Sequence, residues 1–198
     1  CDARGRLQGS VRHVDARLRR RRNQRHATGA ADARGASARP ARLVEHDFAG
    51  DAVELAEHFD VGVELWSATS YKRLRENALE IERWNRLHPS HEPRTPDVAQ
   101  LLADAPGPIV AVTDFMKIVP EQVARFLPGR TFVPLGTDGM GRSDTRESLR
   151  RFFEIDLGHV VVGVLSALHA TGQAGADQVE AAMARYEIDA EAIDPYLV

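Results

Sequence analysis

The stretch Leu135-Gly136-Thr137-Asp138-Gly139-Met140-Gly141-Arg142-Ser143-Asp144 is the segment whose residue types come nearest to a recognisable chemistry. A glycine loop between a strand and a helix can hold a phosphate, because its amides and those of the helix start face the anion. Here the spacing departs from G-x-G-x-x-G, no P-loop lysine follows, and Asp138 and Asp144 bring negative charge to where an anion would sit. The loop therefore reads as a structural turn, in which glycine supplies backbone angles that other residues avoid.

The other reactive side chains are weaker candidates. His88, His91 and Glu92 lie close together in a proline-rich loop but lack the helical H-E-x-x-H pairing of a zinc site. His159 and His169 sit among Val160, Val161, Val162, Val164 and Leu165, which predicts a packed or helix-end role. Ser143 beside Asp144 is not carried on a G-x-S-x-G turn, so a hydrolase triad is not supported. Tyr71, Trp84 and Phe115 read as core or interface residues, with Arg83 and Arg86 flanking Trp84 for a cation–π contact. No catalytic, cofactor-binding or metal-binding residue is assigned.

These residues belong to a chain of two unlike parts. At 198 residues, 43% hydrophobic and 28% charged, it has the composition of a globular protein with room for one domain. No uninterrupted apolar run long enough to cross a bilayer occurs, and neither a membrane nor a nucleic-acid partner is expected. The single cysteine, Cys1, fits a cytoplasmic location, and the start of the chain reads as a fragment rather than as a secreted precursor. Residues 1–50 hold twelve Arg, no Lys and five acids, a net charge of +7, whereas residues 51–198 carry the balance, −10, of the total of −3.

The Arg/Ala/Gly-rich first part has too few apolar residues to offset its ordering entropy, and is expected to be disordered or irregular. Three explanations compete for it. The run Arg17-Leu18-Arg19-Arg20-Arg21-Arg22 would suit a polyanion-binding arm, and arginine richness also marks transit peptides, although these are Ser-rich and poor in acids. The absence of lysine and the abrupt change near Ala52 favour the third: translation of GC-rich DNA out of frame.

Beyond residue 51 the pattern alternates between helices and strands. Helices are predicted at 52–59, from a Ser70 cap to about Trp84, from Thr95-Pro96 through Leu102, at 119–126, after an Asp144/Glu147 capping box, and near 157–171 and 177–186. Strands are predicted at 61–66, 108–112 and 131–135, with Pro134 placing the last near a sheet edge. This order implies an α/β fold of three layers, a mostly parallel sheet flanked by helices.

Three segments in sequence, Glu82-Arg83-Trp84-Asn85-Arg86-Leu87-His88-Pro89, Thr113-Asp114-Phe115-Met116-Lys117 with Glu121-Gln122-Val123, and Leu135 to Asp144 with Arg146-Glu147, resemble the homodimeric bacterial-type pyruvate dehydrogenase family. Phe153-Glu154-Ile155-Asp156 and Val160-Val161-Val162 extend the match, which covers about residues 52–198. The resemblance is to the family's third, transketolase-like C-terminal domain. It implies an enzyme that uses thiamine diphosphate and magnesium to decarboxylate pyruvate and acetylate the lipoyl group of the dihydrolipoyl acetyltransferase component. In that family two other domains bind the cofactor, and their Gly-Asp-Gly, paired-asparagine, glutamate and histidine motifs are absent here. No catalytic residue carries over, no cofactor is expected on this chain alone, and the domain's role is structural and dimer-forming. A non-enzymatic binding module, taking phosphate on the glycine loop or a polyanion on the Arg-rich segment, is the alternative. Because the family's domain opens with a strand where the Arg-rich segment lies, the sequence also predicts unpaired interior strand edges and poor folding.

Overall fold

The computed structural model describes residues 11–14, 41–44, 49–104 and 107–198. The order is β1 (Val11–Val14), β2 (Ala41–Val44), α1 (Ala49–Phe59), β3 (Val63–Ala68), α2 (Tyr71–Leu87), α3 (Asp97–Leu101), β4 (Ile109–Val112), α4 (Ile118–Ala124), β5 (Phe132–Leu135), α5 (Arg146–Phe152), α6 (Leu157–Ala170) and α7 (Ala176–Arg185), with a final turn over Pro195–Leu197. The five strands pair in parallel in the order β1-β3-β2-β4-β5.

Both faces of the sheet are covered, which is why β4, Ile109–Val112, is apolar without interruption. Along β4 the pleat sends alternate side chains to opposite layers. Val110 and Val112 join Leu55, Leu65 and the α6 residues Val160, Val161, Val164 and Leu165, while Ile109 and Ala111 join Trp66, Leu74, Val98 and Val123. Thus α1 and α5–α7 form one outer layer and α2–α4 the other.

The interior gap anticipated from the Arg-rich segment is filled. Strand β2 lies between β3 and β4, with Leu43 in register with Leu65 on one side and Val110 on the other. This strand and β1, Val11–Val14, which pairs with β3, are each four residues inside a tract expected to be disordered or irregular, too short for a reading by average composition to register. Helix α1 also crosses the boundary placed at residue 50, beginning at Ala49. The Arg17–Arg22 run and the remaining disorder expected in this part fall outside the described residues.

Local signals are mostly realised where the sequence places them. The Ser70 hydroxyl accepts a hydrogen bond from the Arg73 amide at 3.3 Å, and Pro134 lies in an edge strand. Two helix starts differ by one residue. The cap of α5 is Thr145, whose hydroxyl accepts from the Ser148 amide at 3.2 Å, while Asp144 accepts from the Thr145 amide at 2.7 Å. The α3 cap position is Pro96 and not Thr95, with no side-chain cap, and the Thr95 carbonyl accepts from the Gln100 side chain at 2.7 Å.

The stretch Arg146–Ala170 is long and apolar enough to cross a membrane by length and composition, although it is not an uninterrupted apolar run. It is two helices. Glu154 at φ +57 and a bond from the Ile155 amide to the Arg150 carbonyl close α5 in a left-handed cap. The 14 residues of α6 then span about 21 Å at 1.5 Å per residue, short of a ~30 Å hydrocarbon core, and its valines lie in the protein core.

Candidate functional site

In open α/β sheets ligands gather beyond the carboxyl ends of the strands. Here that rim is made by two loops, Thr113–Lys117 after β4 and Gly136–Thr145 after β5. Thr113 is buried, and its hydroxyl accepts from the Phe115 amide at 3.1 Å, turning the chain sharply as β4 ends. The loops are joined by the Thr137 amide, which donates to the Phe115 carbonyl at 2.9 Å, and by the Thr137 hydroxyl, which donates to the Asp114 carbonyl at 2.9 Å. Both oxygens of the Asp138 carboxylate accept from the Lys117 amide at 3.3 Å, and the Lys117 ammonium lies 3.9 Å away. Asp138 thus supplies, from the far loop, an anion at the start of α4.

This geometry explains two of the loop's three glycines, Gly136 and Gly139, but not Gly141, where a Cβ would meet nothing within 4 Å. A Cβ at Gly136 would lie 2.5 Å from the Phe115 carbonyl oxygen, and one at Gly139, which has φ +104, 2.3 Å from the Pro195 carbonyl oxygen. They admit the protein's own backbone rather than open a cradle, so the loop is the structural turn its spacing suggests. Ser143 and Asp144 are exposed on it, and among the described residues no histidine is hydrogen-bonded to either.

The proline-rich loop after α2 is built around Trp84. His88 stacks on its ring at 4.4 Å, His91 meets it edge-on at 5.7 Å, and the guanidinium of Arg94 lies over it at 3.7 Å. Asn85 clamps the loop by donating to the Arg94 carbonyl at 2.9 Å and accepting from its amide at 2.8 Å. The cation–π partner is therefore Arg94, not Arg83 or Arg86, because residues one or two apart on a helix do not face each other. The histidines serve this cluster and hold no ligand set.

A third group, which sequence reasoning missed, lies under α1. Asp51 is 4% exposed, one of its carboxylate oxygens has no hydrogen-bond partner, and burial pushes its pKa up to about 7. Arg150 opposes that shift, while Asp156 and Glu54 add to it. Burial would also raise Asp156, but hydrogen bonds from the His159 ring and amide, with further help from Arg151, hold it below the ordinary range. His159 thus has the helix-end role expected of it, and His169 bonds the Ala174 carbonyl at 3.0 Å. Nearby, the Tyr186 hydroxyl donates to Glu54 at 2.8 Å, tying α7 to α1. An acid in the first turn of a helix ordinarily reads as a surface partner of the helix dipole, so nothing in the sequence distinguishes Asp51.

Among the described residues no group of three or more His, Cys, Asp or Glu is arranged to hold a metal ion. The glycine loop is filled by backbone, and Asp138 already occupies the start of α4. These residues do not fit thiamine diphosphate or its magnesium ion. Among the described residues the rim has no paired nucleophile and base.

The family model for the transketolase-like C-terminal domain matches residues 44–156, more than half of the chain. The chain belongs to this family. It is 43% identical over 141 residues to the pyruvate dehydrogenase E1 component of Pseudomonas aeruginosa, 71% of this chain and 16% of that protein. It is 44% identical over 143 residues to the E1 component of Escherichia coli K12, 72% of this chain and 16% of that protein. For the E1 component of Mycobacterium tuberculosis the figures are 41% over 141 residues, 71% and 15%. The chain therefore spans about one-sixth of the length of these curated relatives. Its three-layer α/β architecture is that of the transketolase-like C-terminal domain.

Proposed function

We propose that this chain is a C-terminal portion of a homodimeric pyruvate dehydrogenase E1, and that its domain builds the enzyme without carrying its chemistry. In the whole enzyme the activity would be decarboxylation of pyruvate, with transfer of the acetyl group to the lipoyl arm of the acetyltransferase component. Thiamine diphosphate and magnesium would sit on the other domains, in the cytoplasm. The observation that carries this reading is identity of 43–44% to proteins named as E1 components, confined to about 16% of their length. The unfavourable fit of the described residues to the cofactor agrees with a structural role.

The test is a chimera in which residues 52–198 replace the matching segment of the E. coli E1. Pyruvate-dependent reduction of an artificial electron acceptor should remain within about tenfold of the parent, while the 198-residue chain alone should show none with thiamine diphosphate and magnesium added. A chimera that assembles as the parent does but decarboxylates no pyruvate overturns the proposal.

A further inference from the structure

The two layers that flank the sheet fill their space differently. On one side α6 runs for 14 residues, and its Val160, Val161, Val164 and Leu165 lie in the core with no exposed surface. On the other, α3 has five residues and α4 seven, and the sheet presents the small side chains Ala68 and Ala111. A cavity of about 30 Å³ remains between these two alanines and Leu74, Val98, Val123 and Leu127. Among the described residues its lining is entirely apolar or aromatic, and no polar atom faces it. Access requires no opening of the sheet, because Leu101 at the end of α3 lines the cavity and is itself 40% exposed.

We propose that this cavity is a binding site for a small apolar guest, a noble-gas atom or a short hydrocarbon that carries no hydrogen-bonding group. Its volume is about two to three times the roughly 10–15 Å³ that one water requires, so size alone admits water. The chemistry of the lining does not. A buried water makes about three hydrogen bonds, and the described lining offers none. A charged or hydroxyl-bearing ligand would likewise be buried without a partner. The side chains around the void lack partner atoms on that side and forgo dispersion contacts. A guest without polar atoms restores those contacts and leaves no donor or acceptor unpaired.

Xenon is the probe, applied under pressure to the 198-residue chain while methyl resonances are followed by NMR. The methyls of Leu74, Val98, Ala111, Val123 and Leu127 should shift with xenon pressure to a plateau, several-fold further than those of Val160, Val164 and Leu165 in the opposite layer. Ala111→Val places two further methyl groups in the cavity and should reduce the shifts to the level of the opposite layer. If that variant does not fold, Val98→Leu, which reaches in from α3, provides the same comparison. Equal shifts in the two layers, or none at the lining methyls, overturn the proposal, and so does a water cross-peak to the Ala111 methyl in the parent. Shifts that persist unchanged in a folded, filled variant also overturn it, since the guest would then lie elsewhere.

Discussion

Replacing Asp51 with asparagine isolates the cost of a buried acid. The carboxyl keeps its proton to about pH 7 in the folded chain, against an ordinary value of 3.8. Below pH 4 both folded and unfolded states are protonated, and the group makes no pH-dependent difference. Between about pH 4 and 7 the unfolded chain releases the proton and the folded chain retains it, so stability falls as pH rises and levels off above 7. At 1.36 kcal/mol per pH unit, the interval from 3.8 to about 7 sets a ceiling of about 4 kcal/mol on the loss. Asparagine has the same shape and no charge. Asp51→Asn should therefore melt higher than the parent at pH 8, by about 8 °C or more at the ceiling for a domain of this size, with the difference shrinking towards zero at pH 4. Thermal melts of both proteins across that range provide the measurement. If the variant is less stable at pH 8, ionised Asp51 is held by Arg150 and the argument from burial is wrong.

Gly136→Ala should destabilise the rim, since its methyl group would lie 2.5 Å from one backbone atom and 2.9 Å from another, neither able to swing aside. A loss of about 1–3 kcal/mol is expected, with faster hydrogen exchange at the Thr137 amide; unchanged exchange would refute the close approach. Asp156→Asn tests the opposite sign. Because the Asp156 pKa is held down, its contribution is present above the unfolded value and lost as pH falls through the folded one, so parent and variant should converge in acid and diverge towards neutrality in a pH series of denaturant melts.

The fold was legible where one signal acts over a short range. The apolar run of Ile109–Val112, the Ser70 cap and the edge proline of β5 are all decided within a few residues. What was not legible depended on distance or on averaging. Ala41–Val44 is strand because two neighbouring strands leave a slot for it, and no composition count over fifty residues registers that. The Arg94–Trp84 contact spans ten positions and the Lys117–Asp138 contact twenty-one, so neither follows from local spacing. Asp51 is distinguished only by what packs over it.

Of the segments that carry the family resemblance, some residues lie in α4, α5, α6 and the turn between the last two, and the loop residues fall at two places, the clamp around Trp84 and the paired loops at the carboxyl ends of β4 and β5. In each, the residue types answer to backbone geometry: Asn85 closing a loop, Gly136 admitting a carbonyl, Thr137 and Asp138 bonding the neighbouring turn. A sequence signature made of turn-building residues identifies a domain sharply while naming no chemistry. The same loops leave Phe115, Met116 and Met140 exposed, while the carbonyls that approach Gly136 and Gly139 fill the space a phosphate would need.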